Sequence, residues 1–413
     1  MIQFDKFTLS NGLRVIVHRD PTTPLVAMNI LYDVGARDEH PDKTGFAHLF
    51  EHLMFGGSVN IPKYDEPLQR AGGENNAFTN SDFTNYYLTL PKENIETAFW
   101  LESDRMLSLA FSEKSLQVQR QVVTEEFNQN YLNQPYGDVW LLLKPLAYKV
   151  HPYQWNTIGK TIDHIAEATL EDVKSFFSRF YCPNNAILSV AGNIETEEIK
   201  NLTEKWFGPI PSGPMNERNL PEEPIQKDER VLTVKRKVHS NAIYKAWHSC
   251  SRKDSQYIIT DLISDLLGSG QSSILYKELV KKKKLFSSID AYITGDIDAG
   301  LFIISGKLMP ETTIEVANQA IEEIVERFSS NKIKPNDLTK VKNRVESSLE
   351  FSKISLTNRA LDLAIYEHLG DIDMINKIAS LYSAVSHIDV QQTASQIFRK
   401  ENCSTLFYLK DTL

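Results

Sequence analysis

The chain has 413 residues, 41% hydrophobic and 24% charged, with a formal net charge of −9; that is enough apolar material for two or three domains on the usual scale of roughly 150 residues each. The acidic balance, with a pI near 5.7, leaves no electrostatic footprint for nucleic acid or an anionic membrane surface, and the lysine run 281–284 reads as a solvated helix end. Three cysteines, Cys182, Cys250 and Cys403, are too few and too far apart for a disulfide framework or a CxxC metal site, and they fit a reducing compartment.

In chain order, the N-terminal MIQFDKFTLSNGLRVIVHRD alternates as a strand, turns at Asn11-Gly12 and resumes as a strand. It has no charged segment followed by an apolar one, and no run approaches a membrane span, so a cytoplasmic location is expected; a periplasmic protein already trimmed of its leader would read the same way. Further strands are expected at LVAMNILYDVG, NYYLTLP, NAILSVAGNI, RVLTVKRKV, NAIYKAW and AGLFIISGKL. Helical periods fit residues 44–56, 92–109, 113–130, 170–180, 256–268, 312–329 and 336–369. The stretch GPIPSGPMNERNLPEEPIQK, beginning at Gly208, holds five prolines and little apolar content, so it reads as a linker. The expected organisation is a first half 1–208, a linker 209–227 and a second half 228–413.

The halves echo each other. LVAMNILYDVGARDEHPDKTGFAHLFEHLMFGGS runs strand, polar turn, helix, glycine, and NAIYKAWHSCSRKDSQYIITDLISDLLGSGQSS repeats that order at similar spacing. The second copy has no His or Glu in its helix, only Asp261 and Asp265 among apolar residues. Any chemistry therefore belongs to the first half.

On a helical wheel for residues 46–55, Phe46, Leu49, Phe50 and Leu53 share one side, while His48, Glu51 and His52 fall within an arc of about 100° on the other. Histidines at i and i+4 can offer ring nitrogens to one ion, with Glu51 beside them. This H-x-x-E-H pattern is the reverse of the commoner H-E-x-x-H zinc-protease signature; the alternative is a solvated polar face that happens to carry histidines. A zinc site needs a third ligand. In SEKSLQVQRQVVTEEFNQN the buried side is set by Leu116, Val122, Val123 and Phe127, with Glu126 about 60° from its centre and Glu125 about 160° away. Glu126 is the inward carboxylate, offset either by a metal or by a buried Arg or Lys. Gln119 lies on its face, seven residues earlier.

Together with TLSNGLRVIV, VGARDE, GGENNAFTNSDFTNYYLTLP, QRQVVTEEF, HPYQWNTIG and FYCPNNAILSVAGNI, these residues resemble the pitrilysin, insulinase and mitochondrial-processing-peptidase group of zinc metallopeptidases along nearly the whole chain. The resemblance implies an α+β fold of two homologous α/β-roll halves, each an antiparallel-rich sheet packed by helices, forming a clam-shell when paired with a second subunit. It implies zinc held by His48, His52 and Glu126, with Glu51 as the base that takes a proton from the metal's water, acidified to a pKa of roughly 7. It also implies an edge strand at which Asn76 and Ala77 contact the substrate backbone; without the resemblance, that stretch reads as an ordinary sheet edge capped by Asn. The group's pattern has a glutamate where this chain has Gln119, which would leave one negative charge fewer near the metal, with the glutamine as an orienting donor.

Self-sufficient members of the group carry an Arg and a Tyr in the second half, and aligning SSILYKELVKKKKLFSSI on that block puts Ile274 and Ser287 in their places. The expected function is a zinc endopeptidase subunit acting on short unstructured peptides or precursors. Its expected partner is a homologous subunit that supplies the Arg and Tyr and lacks H-x-x-E-H. A homodimer, in which Tyr276 or nearby lysines substitute, is the alternative to that pairing, and a non-catalytic assembly subunit is the alternative function.

Overall fold

Runs rich in β-branched and aromatic residues assemble into two sheets in the computed structural model, which describes residues 1–330 and 334–411. Strands β1 (Asp5–Thr8), β2 (Arg14–Arg19), β3 (Leu25–Tyr32), β4 (Glu74–Thr79), β5 (Thr84–Pro91) and β6 (Ala186–Gly192) form one sheet in the order β1-β2-β6-β3-β5-β4. Strands β7 (Arg230–Arg236), β8 (Ala242–His248), β9 (Phe286–Ile293), β10 (Leu301–Leu308) and β11 (Cys403–Lys410) form the other, in the order β7-β11-β8-β10-β9. Leaving out β1, the two orders correspond strand for strand. Each sheet has a single parallel pair, β2 with β6 and β7 with β11, and the remaining neighbours are antiparallel. The duplication read from sequence is thus present as one topology used twice, and the fold is α+β.

The first half contributes helices α1 (Phe46–Met54), α2 (Asp65–Arg70), α3 (Ile95–Leu107), α4 (Glu113–Phe127), α5 (Val139–Ala147), α6 (Ile162–Ala166), α7 (Leu170–Phe180) and α8 (Thr196–Trp206). The second contributes α9 (Tyr257–Gly268), α10 (Ile314–Ser330), α11 (Pro335–Ser352), α12 (Leu356–Leu369), α13 (Met374–Ala384) and α14 (His387–Ile397).

Compact units do not follow the expected boundaries at 208 and 227. The first unit comprises Met1–Gln129, Trp155–Leu220 and Glu350–Lys377, and the second the rest of the described chain, including Asn130–Gln154. The cause is an exchange of cover helices. In the first unit α12, from the second half of the sequence, lies over β3 and β6, with Ala360 buried against Ala27 and Ala191. Ion pairs Arg359–Asp20 (2.7 Å) and Lys6–Glu367 (2.6 Å) hold it there. In the second unit α5, from the first half, buries Val139, Leu143 and Ala147 against Ala242, Ala246, Leu301, Ile303 and Leu406.

The helix expected over 336–369 is two helices. Helix α11 stops at Ser352 and α12 restarts at Leu356, where the Ser355 side chain caps the new helix by accepting from the Asn358 N–H at 3.3 Å. The linker has no strand or helix, yet it is no free tether. Arg218 bonds Asp33 and Asp38 at 2.7 and 2.6 Å, and Glu223 accepts from the N–H groups of Lys149, Val150 and His151 at 2.8, 2.9 and 3.0 Å.

Alanines leave no slack under α12. Ala360→Leu would overpack a site where Ala27, Ala191 and Ala360 are at most 1% exposed, so a loss of about 1–3 kcal/mol is expected from urea denaturation. Ala→Leu at an exposed helical position should cost almost nothing.

Candidate metal centre

Helix α1 is seated by its apolar side. Phe50 is fully buried and stacks on Phe176 and Tyr181 at centroid distances of 4.9 and 5.1 Å, with Phe46, Leu49 and Leu53 also buried. The helix starts at Gly45, where φ is +91° and an added Cβ would fall 2.7 Å from Ile165 Cδ1 and 2.8 Å from the Ile158 carbonyl, so only glycine fits. Having no cap side chain of its own, the helix uses a remote one. Glu39 accepts from the Gly45 and Ala47 N–H groups, both at 2.9 Å, and so satisfies two of the N–H groups left open in a first turn.

With that side fixed, the polar residues of α1 face away from the core. His48 Nε2 and His52 Nε2 are 3.4 Å apart, and Glu126 Oε2, brought by α4, lies 3.6 Å from the first and 3.4 Å from the second. His48, His52 and Glu126 are the only group of three or more His, Cys, Asp or Glu among the described residues with donor atoms this mutually close, all within 4.8 Å. A tetrahedral ion with bonds of about 2.0–2.1 Å separates its ligand atoms by about 3.4 Å, so the triangle has the size zinc requires. Two imidazoles and one carboxylate are also the right donor types. Burial, more than the neighbouring His52 charge, pushes the His48 imidazole toward its neutral, ligating form, although Glu126 pulls the other way. The hydrogen bond from His52, aided by the charge of both imidazoles, holds the Glu126 carboxyl below its usual range against partial burial.

Glu51 is half-buried on the same face of α1, and its Oε2 accepts from Thr79 Oγ1 at 2.6 Å. Gln119 is half-buried two turns before Glu126. Glu125 is exposed and accepts from Gln129, so the separation of the two neighbouring glutamates read from the wheel is present. Val122 departs from that wheel: it is 43% exposed, and α4 is seated by Leu116, Val123 and Phe127 instead. Asn76 and Ala77 sit on β4, the edge strand of the first sheet. The Asn76 Oδ1 accepts from the Ala77 N–H at 2.8 Å, so the side chain occupies a donor of the edge. Ile274 packs against the core of the second unit, and Ser287, on β9, donates to the Lys307 carbonyl.

The helix of the second half that corresponds to α1 is α9. Asp261 and Asp265 repeat the i, i+4 spacing of His48 and His52, but Asp261 accepts from Tyr382 Oη at 2.6 Å and Asp265 pairs with Arg344 of α11 at 2.5 Å. A guanidinium already satisfies that carboxylate.

A duplicated α+β protein with one H-x-x-E-H helix and a glutamate converging on it belongs to the class of inverted-motif zinc-peptidase folds. The profile of the insulinase family, peptidase family M16, matches residues 14–154, and that of the peptidase M16 inactive domain matches residues 167–345; the chain belongs to this family. Zinc protease PqqE of Helicobacter pylori is 30% identical over 98% of this chain and 92% of its own length. The uncharacterized zinc protease YmxG of Bacillus subtilis is 26% identical over 96% of each. A more distant relative, 23% identical over 83% of this chain and 66% of its own, is the probable mitochondrial-processing peptidase subunit beta of Arabidopsis thaliana. The crystal structure of a protease from Helicobacter pylori matches 99% of this chain and 100% of its own with a TM-score of 0.93 at 29% identity.

Two residues of the site escaped the sequence reading, Glu39 and Thr79. Both lie in quoted blocks, VGARDE and NNAFTN, but their partners are 6 to 28 residues away and no local periodicity marks them. Burial pushes the Glu39 carboxyl up to about 8, against the backbone N–H bonds that favour its charge. With the folded value above the unfolded one, the stability it contributes is complete below the unfolded range and is lost as pH rises through about 8. The melting temperature should therefore fall between pH 5 and 9, and Glu39→Gln, which cannot ionise, should flatten that fall in thermal denaturation.

Proposed function

We propose that this chain is the catalytic subunit of a zinc-dependent endopeptidase acting on short, unstructured peptides or precursors. The observation that carries the reading is the triangle of His48, His52 and Glu126 donor atoms with 3.4–3.6 Å sides, flanked by Glu51 on the same helix face. These three residues would hold zinc, which when bound supplies a Lewis acid for the scissile carbonyl and for the attacking water. Glu51 takes a proton from that water and returns it to the leaving amine, serving as base and then as acid. The β4 edge pairs with the peptide main chain, the Asn76 carboxamide giving up its bond to the Ala77 N–H as the substrate arrives. Gln119 serves as an orienting donor behind the ligands.

Neither Ile274 nor Ser287 offers a guanidinium or a phenol, and this supports a homologous second subunit that provides both. A homodimer using Tyr276 is the other arrangement. The same two residues are what favours the second reading, an assembly subunit without activity.

The test is zinc content and turnover of a quenched-fluorescent peptide, for the chain alone and with its candidate partner subunit. Glu51→Gln should keep its zinc and lose at least about 100-fold in kcat, the lower end of what a general base contributes. Turnover within a few-fold of wild type would remove Glu51 as the base, and a wild type that binds no zinc would favour the assembly subunit.

Glu126→Gln should lose most of its metal in the same measurement while Glu125→Gln keeps it. Equal losses would reject Glu126 as the third ligand.

A further inference from the structure

A carboxylate that must accept a proton at one atom has to be held, because the terminal torsion of a glutamate is broad and sets no plane by itself. We infer that Thr79 is the residue that holds it: its hydroxyl fixes the Glu51 carboxyl group through Oε2 and leaves Oε1 as the proton-transferring atom. This rests on the peptidase reading above.

The support is geometric. The bond from Thr79 Oγ1 to Glu51 Oε2 is 2.6 Å, in the short range of hydrogen bonds to a charged acceptor. Thr79 is the last residue of β4, paired with Thr84 of β5, and the chain just beyond it is locked. Asn80 Oδ1 accepts from the N–H groups of Asp82 and Phe83 at 2.7 and 2.8 Å, and the Asn80 carbonyl accepts from the Ala36 N–H at 3.2 Å. A β-branched side chain on such a backbone has little rotamer freedom. Strand alternation also puts Thr79 on the same side of β4 as Ala77, so the strand that carries the proposed peptide-pairing residues also carries the group that aims the base. Seating of the peptide and orientation of the carboxylate then share one rigid piece of chain, and the proton leaves the attacking water for Oε1, the oxygen Thr79 does not occupy.

Thr79 is a positioning residue, and three measurements on the full chain, under conditions where wild type turns over, separate that role from a structural one. Thr79→Val is isosteric and lacks the hydroxyl; kcat should fall about tenfold with KM within twofold, and zinc content and melting temperature should stay at wild-type values. Thr79→Ser should recover at least half of the lost kcat. Wild-type kcat in Thr79→Val, loss of zinc from it, or a Ser variant as slow as the Val variant would each overturn the proposal. Crystal structures of zinc-loaded wild type and Thr79→Val read the same bond without turnover: the carboxyl should face Thr79 in the first and rotate in the second. A loaded wild type with Glu51 turned away from Thr79 overturns the positioning whatever the activity. A loaded wild type that keeps the bond, with rotation in Thr79→Val and no peptide cleaved under any condition, would sustain the positioning and refute the peptidase reading alone.

Discussion

The burial of Phe50 is the contact on which the centre depends. A helix of nine residues carries three titratable groups toward solvent only if its opposite side is held against rotation. Phe50 does this by stacking on both Phe176 of α7 and Tyr181 just beyond it, at a position where its ring has no exposure. Rotating α1 by one residue, about 100°, would exchange the aromatic contacts for a charged side chain and point the imidazoles away from α4. The geometry of the donors is therefore a packing result before it is a coordination result, and the Glu39 cap and the bare Gly45 backbone add the axial constraint.

The two halves solve one electrostatic problem differently. In the first unit two imidazoles and a carboxylate converge with no cationic side chain among them, an arrangement that a bound cation would balance. In the second, the aspartates at the same helical spacing meet Arg344 and the Tyr382 hydroxyl, so the balancing charge is covalently part of the chain. Burial still pushes the Asp261 carboxyl upward, which shows how much compensation such a position needs. One topology thus carries a candidate cation site in one half and a built-in guanidinium in the other.

Much of this was legible in the sequence because it repeats at short range. The H-x-x-E-H face of α1, the inward Glu126 beside the outward Glu125, and the duplication all follow from wheel positions and spacing. Other features depend on residues far apart. Strand β11, CSTLFYLK, is buried on both faces along most of its length and so lacks the alternation that marks a strand, while β9, FSSIDAYI, is an edge strand whose polar positions break its apolar run. Val122 reads as core on a wheel but is exposed, because the apolar face of α4 is narrower than its apolar residues suggest. The break at Ser355 was hidden because no Gly or Pro falls anywhere in 336–369, and the reason for it, a helix that belongs to the other sheet, lies in tertiary packing.

That exchanged helix sets the order in which the molecule can be completed. The six strands of the first sheet and the helices that carry the candidate metal centre have all been translated by Leu220, the end of the segment that carries them, whereas their cover helix ends at Leu369, about 150 residues later. At ribosomal rates of roughly 5–20 residues per second the surface around Ala27 and Ala191 stays bare for roughly 8–30 s. The N-terminal half is therefore synthesised early and finished late: its native state is a property of the whole chain, and severing the gene at the duplication boundary would give each sheet a missing lid rather than two working modules.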